Sequence, residues 1–423
     1  MKESFLHLLW SRKMFSLQDL KTYHGSTLEI IQFGKINPDA GPDFYQAEII
    51  IGQQLWVGCV EMHVNSSDWE VHQHSNDPAY KNVILHVVWN HDQEITALRS
   101  RNVETLILSH YVPKEVFFNY ENLIQQSQKP LPCYGLTNEI NWDKIQMWFN
   151  RLLIDRLEEK ANQIYKLLQH NNGNWEETTF KLLASNFGLK VNEEAFQIWS
   201  NSFPFSVLQK IQAHPLKVEA LFFGQAGFLE NPMDFYTVEL KKEYDFIRHK
   251  YHLNPIDSSI FKFSTLRPIG FPTVRLAQLS ALYGQFLQVF SNLIQFKKRQ
   301  EIEIFFQSIS LPTYWDTHYV LGKESKFLAK KIAISKIHNL IVNTILPLKI
   351  AYDKMLDQFV VDDYEEILSQ IKEEKNSIVD MYKDARFPIH NAKDSQVILH
   401  LKKRFCDQKK CLNCAIGTEV LKS

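Results

Sequence analysis

The sequence has no excess of charge of either sign and contains few cysteines. Its 423 residues include 47 basic and 48 acidic side chains, which leaves a formal net charge of −1. The molecule as a whole therefore has no basic field that would draw it to nucleic acid or to an acidic membrane, and any such binding must use a local patch. Only five cysteines occur, and three of them are close together near the C-terminus, so a secreted disulfide framework is excluded.

Long apolar runs and nucleotide-binding motifs are also missing. No stretch of roughly eighteen or more apolar residues is present, so we expect no membrane-spanning helix. Residues 1–15 have neither a long apolar core nor a small-residue cleavage site, and they predict an amphipathic helix rather than a signal peptide. A cytoplasmic protein is therefore expected. The sequence contains no Gly-rich phosphate loop, no nucleophile elbow and no dinucleotide-binding fingerprint.

The residues that can carry chemistry are concentrated between positions 41 and 92. Five of the sixteen histidines fall in this segment, namely His63, His72, His74, His86 and His91. Its acidic residues are Asp43, Glu48, Glu61, Asp68, Asp77 and Asp92. Apolar-rich runs in the same segment predict β-strands, which hold such side chains rigidly.

The N-terminal part predicts a small α/β domain over residues 1–110. We expect strands at residues 27–33, 44–51, 55–64, 83–89 and 103–108, with a hairpin turn at residues 52–54. Residues 1–24 predict helix, including a short helix at residues 17–23 with Ser16 as its N-cap. This order of elements predicts a small mixed sheet.

The remainder of the chain predicts a linker followed by a helical domain. Residues 111–140 contain Pro113, Pro130 and Pro132, which are typical of a linker, together with Cys133. From residue 141 to residue 423, apolar residues recur at helical spacing, and continuous helices are predicted at residues 175–187, 235–251, 274–296, 325–356 and 364–384. The predicted fold class is α+β.

Asp43, Glu61 and His63 form the first candidate site. Side chains alternate along a strand, so Glu61 and His63 share one face of the predicted strand, and Asp43 begins the preceding strand. Two carboxylates on adjacent strands suit Mg²⁺ or Mn²⁺, and the third group can position or deprotonate a water molecule. The alternative interpretation is a buried polar network that only holds the domain together.

This pattern resembles the core of the PD-(D/E)XK nucleases, a restriction-endonuclease-like fold. Pro42-Asp43 corresponds to the PD element, and Glu61-Met62-His63 corresponds to the (D/E)XK element with histidine in place of lysine. The resemblance implies that Asp43 and Glu61 hold the metal. Neutral histidine does not supply the fixed positive charge of lysine, although it can act as a base or as an additional ligand.

His72, His74 and His86 form the second candidate site, beside Asp68 and Asp77. A His-x-His pair can place two imidazoles on one metal ion if the backbone is extended there, and zinc or another transition metal would then be preferred. The alternative is that Asp68 caps a turn and the histidines hydrogen-bond the loop to the sheet.

Cys406, Cys411 and Cys414 have C-x4-C-x2-C spacing near the C-terminus. With a distant fourth cysteine, this spacing suits a [2Fe–2S] cluster or a structural zinc ion. Cys133 is the natural fourth ligand, and Cys59 and His400 are alternatives. Some PD-(D/E)XK nucleases carry an iron–sulfur cluster that joins distant chain segments, so the nuclease resemblance is compatible with this set. The simpler interpretation is a group of reduced thiols.

Local basic patches provide the only candidate nucleic-acid contacts. They contain Lys402, Lys403, Arg404, Lys409 and Lys410 near the cysteines, Lys297, Lys298 and Arg299, and the pair Arg267 and Arg275. Such groups can hold phosphates, although charge runs are more often solvated helix faces.

Nearly the whole chain resembles one uncharacterised bacterial family, catalogued as domain of unknown function 2851. The segments that carry the resemblance are NPDAGPDF, GCVEMHVNSSDW, HQHSNDPAYKNVILHVVWNHD, FGQAG, RPIGFPTVR and CLNCAIG. The resemblance implies no particular activity. The leading hypothesis is a metal-dependent nuclease or related phosphodiesterase; the alternatives are a non-enzymatic scaffold protein and a zinc hydrolase that acts on a non-nucleic substrate.

Overall fold

The computed structural model describes residues 1–138 and 140–423, which separate into two compact units. The sheet unit consists of Met1–Phe149, Asn376–Pro388 and Ile398–Ser423, and the helical unit consists of Asn150–Lys375 and Ile389–Val397. The predicted α+β class, with an N-terminal mixed sheet followed by a mainly helical region, is confirmed. The predicted domain boundaries at residues 110 and 140 stay predictions.

The chain contains eight strands and nineteen α-helices among the described residues. The strands are β1 Leu28–Gln32, β2 Lys35–Ile36, β3 Phe44–Ile51, β4 Gln54–Asn65, β5 Val83–Asn90, β6 Glu104–Ile107, β7 His318–Val320 and β8 Lys323–Glu324. The helices are α1 Glu3–Ser11, α2 Asp68–Val71, α3 Thr96–Ser100, α4 Lys114–Gln125, α5 Gln146–His170, α6 Trp175–Phe187, α7 Leu189–Asn201, α8 Phe205–Ile211, α9 Pro215–Gln225, α10 Phe235–Tyr251, α11 Pro272–Gln285, α12 Val289–Gln295, α13 Arg299–Gln307, α14 Ile334–Leu340, α15 Leu346–Met355, α16 Val361–Ser369, α17 Ser377–Asp384, α18 Ala392–Leu401 and α19 Ala415–Lys422. No helix in these residues is long and apolar enough to cross a membrane.

The main sheet has the order β1-β3-β4-β5-β6, and β2 pairs with β3 beside this path. The β3–β4 pair is an antiparallel hairpin whose turn contains Gly52 at φ +63°, a left-handed conformation that glycine adopts at little steric cost. The β4–β5 and β5–β6 pairs are parallel. Because β5 lies between two parallel neighbours, its first six residues, Val83 to Val88, are all buried.

Parallel pairing requires a crossover connection between β4 and β5, and residues 66–82 provide it. Trp69 anchors the crossover in a hydrophobic cluster that also contains Tyr80 and Val83. At the start of the crossover, the Ser66 and Ser67 hydroxyls donate to the carboxylate of Asp92 at 2.9 and 2.7 Å. The connection is therefore fixed to the sheet at both ends.

Several predicted helices differ from the structure. The helix predicted at residues 17–23 is wrong: the Tyr23 amide donates instead to Thr105 O at 2.7 Å, and Lys21 forms an isolated bridge with Thr27. Residues 111–140, predicted as a linker, contain α4, and α4 packs against α19. The long helices predicted at residues 274–296 and 364–384 are each interrupted, giving α11 with α12 and α16 with α17.

The helical unit buries a carboxyl group on α9. Glu219 is 2% exposed, and its two oxygens accept hydrogen bonds from Trp315 Nε1 at 2.7 Å and from the Tyr236 hydroxyl at 2.8 Å. Burial raises the pKa of Glu219 to about 7, although the two donors act in the opposite direction. The folded protein therefore retains a proton on this group that the unfolded chain releases at lower pH.

We expect Glu219 to make the free energy of unfolding fall as the pH rises from about 4.5 to about 7. The contribution is fully present below the pKa of the unfolded chain and is lost as the pH passes the folded pKa, a total of about 3 kcal/mol. Denaturant unfolding of the wild type and of Glu219→Gln at pH 5 and pH 8 measures it. Glu219→Gln, which cannot ionise, is expected to lack this part of the pH dependence; equal pH dependence in both proteins would contradict the assignment.

Candidate metal centre

Two strands of the sheet place three polar side chains on one face. Glu61 and His63 are two residues apart on β4, so their side chains leave the strand on the same side. His86 pairs with Glu61 across the β4–β5 ladder, and its Nε2 lies 2.9 Å from His63 Nδ1. His63 and His86 are 1% and 0% exposed, so β4 and β5 build a buried histidine pair in the sheet.

The crossover brings two further histidines to this face. The carboxylate of Asp68 accepts a hydrogen bond from the Asn65 amide at 2.9 Å and fixes the start of α2, so its role as a turn cap is observed. His72 follows α2, Gln73 adopts a left-handed conformation with φ +60°, and His74 begins a short 3₁₀ turn. The backbone of the His-x-His segment is not extended: a left-handed residue, Gln73, lies between two helical turns, and the imidazoles are nevertheless brought together.

Ligand nitrogens from three histidines lie close together, and one carboxylate oxygen lies beside two of them. His63 Nε2 lies 3.1 Å from His72 Nδ1 and 3.5 Å from Glu61 Oε1. The same Glu61 oxygen lies 3.3 Å from His74 Nε2, and the ligand atoms of the three histidines all lie within 4.8 Å of one another. Zinc bonds of about 2.05 Å in a tetrahedral site place neighbouring ligand atoms roughly 3.3 Å apart. The three separations between 3.1 and 3.5 Å are close to that value.

Neighbouring groups hold the imidazoles in place. His63 uses its Nδ1 on His86, which leaves its Nε2 for the centre, and the His74 ring stacks on Tyr80 with centroids 3.7 Å apart. Within the described residues, His74 Nε2 is buried and forms no hydrogen bond, because its approach to Glu61 is not aligned for one. A buried ring nitrogen of this kind has a lone pair or a proton without a partner, which a bound cation would engage.

Three buried histidines on this face, His63, His74 and His86, favour their neutral form. Burial, together with neighbouring His74 and His72, lowers the pKa of His63 to about 3. Burial also lowers the pKa of His74, and it lowers that of His86 well below the usual value. Neutral imidazole is the form that binds metal ions, so the ring nitrogens of these histidines can act as ligands at neutral pH.

The two predicted carboxylates lie beside each other. The Asp43 amide donates to Glu61 Oε2 at 3.1 Å, and the Met62 amide donates to Asp43 Oδ2 at 2.9 Å. Burial raises the pKa of Glu61 to about 9, and the negative charge of Asp43 adds to the shift. A cation bound at Glu61 Oε1 would favour the ionised carboxylate, because bound ions reverse such shifts.

Two residues close to the centre were not among the site residues predicted from the sequence. His7 on α1 places its Nε2 3.2 Å from Asp43 Oδ1, and Glu3, one turn earlier, interacts electrostatically with His72 and Asp43. The signal that could have found them is their i, i+4 spacing on a helix whose other inward side chains, such as Phe5 and Trp10, are apolar.

The other candidate residues fall into two groups. The four cysteines Cys133, Cys406, Cys411 and Cys414 line one small cavity of the sheet unit, whereas Cys59 lies on β4 beside the Trp69 cluster. Among the basic candidates, Arg275 is 8% exposed and donates to Gln278 at 2.7 Å. Lys402 pairs with Asp407, and Arg299 pairs with Glu303.

Comparison with known proteins identifies a family for this chain but no activity. The family described as "Protein of unknown function (DUF2851)" matches residues 3–377. No curated protein and no solved structure matches the chain.

We expect His74→Ala to weaken Zn²⁺ binding at least about 100-fold, because loss of a direct ligand costs more than loss of an outer-shell partner. Titration of the metal-free protein with Zn²⁺ against a chelating indicator measures the affinity. His110→Ala, which removes an exposed histidine outside the centre, is the matched control. Equal Zn²⁺ affinity in the wild type and in folded His74→Ala would show that these histidines only form a hydrogen-bonded network.

Proposed function

The chain belongs to the DUF2851 family of proteins of unknown function, and we propose that it is a metal-dependent hydrolase that cleaves phosphodiester bonds. The observation that carries the proposal is the cluster of His63, His72 and His74, whose ligand atoms lie within 4.8 Å of one another, with Glu61 Oε1 within 3.5 Å of two of them. Imidazoles select zinc or another transition metal over Mg²⁺, so the metal proposed here differs from the Mg²⁺ or Mn²⁺ expected for two carboxylates alone.

The exposure of the side chains supports a catalytic role for the centre. Glu61, His63 and His74 are buried, whereas His72 is exposed and the Asp43 side chain is 21% exposed. One side of the centre therefore faces solvent, where a water molecule and a substrate can enter. A catalytic metal site keeps such an open position, whereas a purely structural site is closed by its protein ligands.

The chemistry follows from what a metal does to bound water. A metal ion at this centre would lower the pKa of its water towards neutrality and make hydroxide available as a nucleophile. The water oxygen bonds to phosphorus, and the bond from phosphorus to the leaving alcohol oxygen breaks. Asp43 and His7, whose Oδ1 and Nε2 atoms lie 3.2 Å apart, offer an acid–base pair beside the centre for these proton transfers.

The strand arrangement supports phosphodiesters as the substrate class. Asp43 enters β3, Glu61 and His63 lie on the antiparallel β4, and the crossover leads to the parallel β5. This is the arrangement in which the resemblance to PD-(D/E)XK nucleases implies a metal-binding carboxylate pair. Nucleic acid is the corresponding partner, contacted through local basic patches because the net charge of the chain is −1.

A zinc hydrolase that acts on a non-nucleic substrate is the second candidate. The ligand set is rich in histidine, and basic side chains such as Arg299 and Lys402 are paired with carboxylates, which reduces the positive charge available for phosphates. Hydrolysis of carboxylic esters or amides by the zinc-loaded protein, without hydrolysis of phosphodiesters, would favour this candidate.

We expect Glu61→Gln to lower phosphodiester hydrolysis at least about 100-fold, since the carboxylate that faces the centre is lost while the side chain keeps its shape. The assay uses the full chain loaded with Zn²⁺ or Mn²⁺, an aryl phosphodiester, and labelled single- and double-stranded DNA and RNA. Glu48→Gln, which changes a carboxylate on β3 outside the centre, is the matched control.

Hydrolysis at the wild-type rate by folded Glu61→Gln would overturn the proposed mechanism. If neither protein cleaves any phosphodiester or ester and Glu61→Gln changes only the free energy of unfolding, the scaffold interpretation is favoured instead.

A further inference from the structure

We propose that Cys133, Cys406, Cys411 and Cys414 are the four ligands of an iron–sulfur cluster in the sheet unit. All four line one cavity, whose other lining side chains include Leu123 and Phe405. Cys133 is far in sequence from Cys406, Cys411 and Cys414, so the fold brings the two segments together. The fifth cysteine, Cys59, lies elsewhere on β4.

Each of the four cysteines lies in a turn or at the end of a helix. Cys133 lies in the turn after α4, and Cys406 ends the wide helical turn that follows α18. Cys411 and Cys414 flank a single 3₁₀ turn, and Cys414 is the residue before α19. Gly417 permits this close approach, because a Cβ atom there would lie 2.0 Å from Cys411 O.

The spacing of the cysteines favours a cluster over a single zinc ion. Zn²⁺ holds sulfur at about 2.3 Å, so four sulfur atoms around one zinc ion lie roughly 3.8 Å apart. The cavity that the four cysteines line has a volume of about 20 Å³. In the described part of the chain, groups of three or more side chains whose ligand atoms all lie within 4.8 Å include none of these cysteines. Iron and sulfide ions between the thiolates account for this wider spacing.

The sulfur atoms are sheltered from solvent, as cluster ligands require. Cys133, Cys406 and Cys414 are each less than 10% exposed. The Tyr382 hydroxyl lies 3.0 Å from Cys406 Sγ, and hydrogen bonds to sulfur are among the groups that set the potential of a cluster.

The test is the metal and sulfide content of the full chain, purified without oxygen. We expect iron and acid-labile sulfide in equal amounts, together with the brown colour of a cluster. Cys411→Ser is expected to lose both; Cys59→Ser, the matched control, and His72→Ala, which alters only the histidine centre, are expected to keep both. Circular dichroism verifies that Cys411→Ser is folded.

Two results would overturn the proposal. The first is wild-type protein that contains zinc but neither iron nor sulfide, and that keeps this zinc in His72→Ala, which would assign a structural zinc ion to the cysteines. The second is wild-type protein that holds no iron or sulfide even after incubation with ferrous iron and sulfide under anaerobic conditions. Neither result depends on Cys411→Ser, so both remain decisive if that variant does not fold.

Discussion

The parallel pairing of β4 with β5 is the constraint on which the candidate centre depends. Its register sets Glu61 opposite His86 and leaves His63 within 2.9 Å of the same histidine. Successive side chains point to opposite faces, so a shift of one residue would turn Glu61 and His63 to the other side and bring Val60 and Met62 in their place. Parallel pairing also requires the crossover, and the crossover is the segment that supplies His72 and His74.

The centre places polar groups where an ordinary core would have apolar ones. Within the described residues, His74 Nε2 and His86 Nδ1 are both buried without a hydrogen-bond partner. A buried polar atom left unpaired costs about 1–3 kcal/mol, and replacement of such a group by an apolar one of similar shape is often neutral or stabilising. These two atoms therefore reduce the stability of the sheet unit unless something binds to them.

Much of the sheet was predictable from the sequence, because its strands follow simple patterns. The strand predicted at residues 44–51 agrees with β3, and the hydrophobic run of β5 agrees with a strand buried on both faces. The proximity of Asp43 and Glu61 also followed from strand order. The turn at Gln73 did not, because no local pattern encodes its left-handed backbone.

Long-range contacts explain what else the sequence could not predict. His7 meets Asp43 across 36 residues only because α1 packs on β4, and the helix predicted at residues 17–23 is lost because β6 engages the Tyr23 amide. Cys133 was expected from the sequence as the fourth ligand, with Cys59 and His400 as alternatives, and it lines one cavity with the C-terminal cysteines, where α4 packs against α19. In each case a residue type was visible in the sequence, but the partner that gives it a role is set by tertiary packing. Sequence patterns can therefore identify which side chains are able to bind a metal, whereas only the fold decides which of them share one.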